Sequence, residues 1–395
     1  MWSVPQRPAL TGAGPRQFTC WTQFRKESVA LMSDAEAMFH QVHIKPDDSN
    51  AVCFLWLPNG DLNSQPQEFL MTVHLFGGVS SPSCANFALR KTADDNQDFD
   101  PEIVNTVKRN FYMDDCLKSI KSEQDAVSLM KGLRNILNNL LNRDGFRLPK
   151  WLSNSCEVIE SIPESERAMS VKDFDFDHAR IERALGVQWH VASDTFRFKI
   201  TIKDRPPTRR GILSTVSSVN DPLGFVAPFV LPAKILLQEL CRKGLGWDDK
   251  IPEEDLRRWD NWLEKLPMLE QFCVKRCFKP PNFGSVVSCQ VHHFSDASQV
   301  AYGAVSYLRL VNSNHEVQCS FIMGKSRLSP LACHNTTNGA IHVVLSTRLD
   351  RIIRHKLDFV IHDSFFWTES TCVLPCVAND DRRYKLPLWR TESLR

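Results

Sequence analysis

The sequence predicts an α+β fold in three blocks, and three patterns carry that expectation. Residues 28–200 mix short apolar strands with one clear helix. Residues 201–285 turn helical after "RPPTRRG", and within residues 286–385 the chain reads as three strands, a helix and a strand. A length of 395 residues, 43% of them hydrophobic, is enough for two or three buried cores.

In the first block the helix is expected to start near Ser122, where Asp125 follows in a capping-box arrangement. Met130, Leu133, Leu137, Leu140 and Leu141 then recur at helical spacing, and Gly145 supplies a stop. "ALGVQWHVASDTFRFKI" reads as a hairpin, with Phe196, Phe198 and Ile200 alternating. In the second block "AKILLQELCRKGLGW" and "PEEDLRRWDNWLEKL" read as two packed helices, the second opening on acids that suit a helix N-terminus. In the third, the strands are "SCQVHHFSD", "AYGAVSYLRL" and "EVQCSFIMG", the helix is "GAIHVVLSTRLDRIIRHKL", and "DFVIHDSFFWTES" is the last strand.

Composition narrows the class. A net charge of +2 means that any nucleic-acid binding comes from a local groove and not from the whole molecule. Thirteen cysteines show no regular framework, and the N-terminus lacks a signal-peptide layout, so an intracellular location, cytoplasm or nucleus, is expected. Cys273/Cys277 and Cys372/Cys376 have loose metal-like spacing without a second close pair, which favours ordinary thiols. No apolar run approaches the ~20 residues that cross a bilayer, so no membrane partner is expected.

"FYMDDCLKS" places Asp114 and Asp115 after an aromatic, apolar run. Four other adjacent aspartate pairs occur, at 47–48, 94–95, 248–249 and 380–381, so the pair alone reads as a solvated turn. Its company is more specific. Asp34 ends a short apolar run and Phe39 follows; as plain sequence, Asp34 is a helix cap and Phe39 is core. Gly77, then Ser81 and Pro82, describe a backbone that turns closely and starts a helix. Three carboxylates at a strand end and a hairpin tip can hold two divalent cations about 4 Å apart.

In that order the motifs resemble the palm of reverse transcriptases, and closely resemble the polymerase polyprotein of Pao/BEL-type long-terminal-repeat retrotransposons. "DAEAMFHQVHI", "FGGVSSPSCANFALRKTADDN" and "FYMDDCLKS" look like its catalytic motifs, "GFRLPKWLSNSCEVIESIP" like the one that follows, and "ALGVQW" like its primer-gripping turn. "LSTVSSVNDPLGFVAPFVLPAK" resembles the connecting region and "HHFSDASQVAYGAVSYL" the first strands of a ribonuclease H. The resemblance implies an antiparallel palm sheet with helices, a helical connection, and an incomplete ribonuclease H-like α/β domain. It implies two Mg²⁺ ions at Asp34, Asp114 and Asp115, and Lys150 as proton donor to pyrophosphate. It also places Phe39, Gly77, Ser81, Pro82 and Tyr112 against nucleotide and template, with RNA/DNA template-primer as partner.

The expected division is a non-family segment 1–27, a palm-like domain 28–200 lacking most of the fingers, a helical thumb or connection 201–285, a degenerate ribonuclease H-like domain 286–385, and a divergent tail 386–395. In the third unit Asp296 matches the first metal ligand and Glu369 stands where the family has aspartate. Gly339 stands where the family has glutamate. No Asp-Thr/Ser-Gly triplet of an aspartic protease and no His-His-Cys-Cys set of an integrase is found. Three readings follow: an RNA-directed DNA polymerase; a truncated, transposon-derived protein that at most binds nucleic acid, which the lost glutamate and the short segment before Asp34 favour; and a protein-interaction scaffold.

Overall fold

A computed structural model describes residues 15–138, 146–168, 181–184, 187–201, 204–329 and 335–369. The chain enters through α1 (Pro15–Phe24) and runs directly into β1 (Val29–Asp34). A separate hairpin, β2 (Cys53–Trp56) and β3 (Gln67–Leu70), precedes α2 (Ser81–Asp95) and α3 (Pro101–Arg109). The hairpin β4 (Phe111–Tyr112) and β5 (Asp115–Ile120) follows, then α4 (Glu123–Asn138), β6 (Leu152–Ser153) and α5 (Cys156–Glu160). The first sheet has the order β4-β5-β1-β6, which brings the chain's first strand into the centre.

Local chemistry explains where these helices start. Asp100 accepts a hydrogen bond from the Glu102 amide at 2.7 Å, and Pro101 sits in the first turn of α3, where its missing N–H costs nothing. At α4 half of the expected capping box forms: the Asp125 amide donates to Ser122 Oγ at 3.1 Å, while that hydroxyl, and not the Ser122 amide, donates to Asp125 Oδ2 at 2.7 Å. Met130, Leu133 and Leu137 are buried as their spacing predicts. Leu140, Leu141 and Gly145 lie outside the described residues.

The second sheet is formed by β7 (Ile181–Ala184), β8 (Val187–His190), β9 (Thr195–Arg197) and β10 (Cys273–Lys275), in the order β10-β9-β8-β7. The expected hairpin is there as β8 and β9, with Trp189 opposite Phe196. Those two rings meet α1 edge-on: Phe196 lies 4.9 Å from Trp21 and Trp189 lies 5.0 Å from Phe24. Such contacts add to burial, so α1 belongs to the same core as the first two sheets.

Next come α6 (Arg209–Ser218), α7 (Ala227–Arg242) and α8 (Glu253–Lys265). Two of these were expected; α6 was not, although Thr208 caps it by accepting from the Gly211 amide at 3.2 Å. Ile212, Leu236, Leu240, Trp259 and Trp262 close a second core. Helix α7 starts earlier than its apolar run suggests, and Asp221 anchors that start by accepting from the amides of Gly224, Phe225 and Val226 at 2.9, 2.9 and 2.8 Å.

The last unit is β11 (Val286–Ala297), β12 (Ala301–Asn312), β13 (Val317–Leu328), α9 (Asn335–Lys356) and β14 (Asp363–Trp367), the predicted strand-strand-strand-helix-strand order. The sheet order is β13-β12-β11-β14, antiparallel except for the β11–β14 pair, and α9 is the crossover that a parallel pair requires. Buried His293 ties the sheet to that helix, with Ser306 Oγ 2.8 Å from Nδ1 and Asp350 Oδ1 3.1 Å from Nε2. Among the described residues, no helix is long and apolar enough to cross a membrane.

Candidate active site

Antiparallel pairing of β1 with β5 runs in register from Val29 opposite Ile120 to Asp34 opposite Asp115. The β4–β5 turn folds back tightly, with Tyr112 opposite Asp115, Met113 at φ 56° and Asp114 at the tip. The Ala35 amide donates to the Asp114 carbonyl at 2.8 Å and pins that tip to the end of β1. Asp34 and the adjacent pair Asp114–Asp115, far from it in sequence, are thus brought to one edge of one sheet.

Lys150 reaches the same edge along a third segment. Ser33 Oγ donates to the Pro149 carbonyl at 2.8 Å and the Glu36 amide donates to the Arg147 carbonyl at 2.9 Å, so residues 147–150 lie beside the end of β1. Lys150 takes φ 59°, a left-handed conformation that disfavours side chains. Its Nζ donates to Asp34 Oδ2 at 3.2 Å.

Asp114 is half-buried, and burial raises its carboxyl above the ordinary range; the nearby charge of Asp34 raises it further, while Lys150 opposes both. Oxygen donors of this kind suit Mg²⁺. Their placement does not: Lys150 holds an oxygen of Asp34, and among the described residues no three His, Cys, Asp or Glu gather as a metal-holding group. The residues as they stand therefore do not fit the two-metal expectation.

Gly77 adopts φ 89°, which glycine accepts at no steric cost, and Ser81 with Pro82 opens α2 as expected. Ser81 is buried, 3.4 Å from His74 Nδ1. Phe39 was expected to face a nucleotide sugar, yet only 9% of it is exposed, and its ring lies edge-on to Phe76 at 4.9 Å. Ala37, at φ 51°, reverses the chain just before it. Phe39 is therefore part of the core, as the plain sequence reading had it.

In the third sheet Asp296 is exposed near the end of β11 and accepts from the Ala297 amide at 2.6 Å. The β11–β14 register runs from Gln290 opposite Asp363 to Phe294 opposite Trp367, where β14 ends. Gly339 lies in the first turns of α9, so that helix contributes no carboxylate there.

Sequence reasoning missed two buried cations, Arg25 and Arg276. Arg276 is fully buried and grips Asp194 with two bonds, Nε to Oδ1 at 2.6 Å and a terminal nitrogen to Oδ2 at 2.8 Å. Arg25 sits 4.2 Å over the Phe278 ring, and burial lowers its pKa to about 9. Their one-letter context carried no signal, since arginine is ordinarily a surface residue.

Residues 208–370 match the family model described as the Pao retrotransposon-like RNaseH-like domain. This part of the chain is similar to that family. The Pao-type match takes in the α6–α8 helices as well as the last sheet. Two solved structures of the foamy viral protease-reverse transcriptase share the fold: one in complex with double-stranded DNA, at 14% identity and TM-score 0.51, and one with an RNA/DNA hybrid, at 13% and 0.51. Both alignments cover 94% of this chain, but only 55% and 42% of those chains, so the chain spans about half the length of the solved chains it matches. The architecture is thus the α+β one expected, that of retroviral reverse transcriptase and ribonuclease H regions. No curated protein matches the chain.

Proposed function

We propose that this chain is a retrotransposon-derived, reverse transcriptase-like protein that binds an RNA/DNA template–primer duplex at its palm-like edge without extending the primer or cleaving the RNA. The division into a palm-like unit 28–200, a helical connection 201–285 and a ribonuclease H-like unit 286–385 is part of this reading. The observation that carries it is the edge itself: Asp34, Asp114, Asp115 and Lys150 converge there, with Lys150 bound to Asp34. The nucleic acids held by the two foamy viral structures support the choice of partner. Gly339 supports the absence of RNA cleavage, because two metals need more carboxylates than Asp296 and Glu369.

A second reading, an RNA-directed DNA polymerase with two Mg²⁺ ions, is favoured by the register that sets Asp34 opposite Asp115. It requires Lys150 to leave Asp34. In that reading Asp34, Asp114 and Asp115 would hold the ions, which would supply activation of a primer hydroxyl, and Lys150 would donate a proton to the leaving pyrophosphate. Primer extension on an RNA template with Mg²⁺ separates the two. The proposal expects no extension; extension that is abolished by Asp114→Asn with Asp115→Asn establishes the polymerase instead.

A further inference from the structure

Helix α7 lies along β13, the edge strand of the last sheet, and two contacts fix how. Just before the helix, the Leu223 carbonyl accepts from the Gly324 amide at 2.8 Å; further along, Gln238 Nε2 donates to the Ser329 carbonyl at 3.3 Å. From Ala227 to Gln238 the helix rises about 16 Å, and from Gly324 to Ser329 the strand advances about the same distance, so the two run side by side in one direction. Lys234 stands one turn before Gln238 on the same face of the helix, which brings it level with Arg327. Lys325 shares its side of β13 with Arg327, two residues on.

Three cations thus gather along one helix–strand seam. Lys234 and Lys325 are half-buried, and neither makes a hydrogen bond or ion pair among the described residues. Burial holds both ammoniums below the ordinary lysine range, and the charge of Arg327 lowers both further. The acid that acts on Lys234 is Asp221, whose oxygens already accept from the amides of Gly224, Phe225 and Val226. Like charges held together without a matching acid favour an incoming anion. A terminal phosphoryl group brings about two negative charges and three acceptor oxygens, which suit ammonium and guanidinium donors. A phosphodiester backbone instead spreads its charge along a strand.

We propose that the Lys234–Lys325–Arg327 seam binds a compact free polyphosphate, whose clustered charge neutralises the two lysines and the arginine together. The site is independent of the template–primer reading and uses none of the residues at the aspartate edge.

Isothermal titration of the full chain with inorganic tripolyphosphate, in low-salt buffer without divalent metal, tests it. Saturable binding is expected, and Lys234→Met with Lys325→Met is expected to weaken it about ten-fold or more, since methionine keeps an apolar stem and removes the charge. Lys250, an exposed lysine in the loop before α8, is the control: Lys250→Met should leave the affinity unchanged. Because the folded state holds the protons of Lys234 and Lys325 less tightly than the unfolded chain does, the double variant should melt higher than wild type at neutral pH without the anion. That distinguishes a lost site from a lost fold. Tripolyphosphate should raise the melting point of wild type and leave that of the double variant where it is. Absence of saturable binding, binding that survives the double substitution, or a double variant that melts below wild type overturns the proposal. A blunt RNA/DNA duplex that displaces the tripolyphosphate also overturns it, because the lysines then serve a nucleic-acid backbone; duplex binding that leaves tripolyphosphate in place supports a separate site.

Discussion

Lys150 and Asp34 form a contact of 3.2 Å between Nζ and Oδ2 at the edge where β1 ends. The ammonium occupies one oxygen of Asp34, on a residue at φ 59° whose neighbour Pro149 accepts from Ser33 of β1. A tethered cation competes with a free one for the same oxygen. Lys150→Met is therefore expected to strengthen Mn²⁺ binding several-fold in a titration of the purified chain, and Lys150→Arg to leave it unchanged. Because the lysine side chain is 63% exposed, the same substitution should change unfolding free energy by less than about 1 kcal/mol.

Asp114 should leave a pH signature in stability. Its folded-state pKa is raised, by burial first and by the charge of Asp34 second, so the folded state holds its proton more tightly than the unfolded chain does. Stability from this group is present below the unfolded aspartate value, about 4, and is lost as pH rises through the raised folded value. Asp114→Asn is thus expected to melt higher than wild type at neutral pH, with the difference shrinking as pH falls through the carboxylate range. Thermal melts at several pH values check it; a difference that grows toward acid contradicts the assignment.

Arg276 joins three parts of the chain. Besides Asp194 it donates to the carbonyls of Phe24, Glu27 and Ser28, tying the end of α1 and the approach to β1 to the second sheet. Removing one partner of a buried pair strands the other charge, so Asp194→Ala should destabilise by about 3–5 kcal/mol in urea unfolding. Arg276→Lys should not rescue the fold, because an ammonium cannot reproduce the planar fork.

Two glycines with left-handed backbones should behave differently. Gly224, at φ 81°, packs against the Gly324 backbone of β13, and a Cβ there would collide with the Gly324 carbonyl oxygen. Gly244, at φ 73°, has nothing within 4 Å of that position. Gly244→Ala should cost only the conformational penalty of about 1–2 kcal/mol, whereas Gly224→Ala should cost clearly more, as read from denaturation midpoints.

The pairing of β1 with the aspartate hairpin was legible in the sequence because its parts are short local patterns: an apolar run ending in Asp34 and an aromatic run ending in two aspartates. The last sheet was readable for a similar reason, since its strands alternate or run apolar and its helix is long. What escaped was decided by packing between distant segments. Nothing near Phe39 says which wall its ring joins; that follows from the reversed backbone at Ala37 and from Phe76. Helix α6 was hidden by the prolines and glycine around it, although Thr208 was an available cap. The burial of Arg25 and Arg276 depends on carbonyls and rings brought in from several elements, which no local window contains.

The proposed role of the edge bearing Asp34, Asp114, Asp115 and Lys150 is to hold a template–primer duplex. Anisotropy titration of a labelled RNA/DNA template–primer with the full chain, repeated over a series of salt concentrations, tests it most directly. Saturable binding at low salt that weakens steadily as salt rises is expected, because cations of the protein replace counterions along the backbone. Absence of saturable binding at low salt, or binding indifferent to salt, would contradict it.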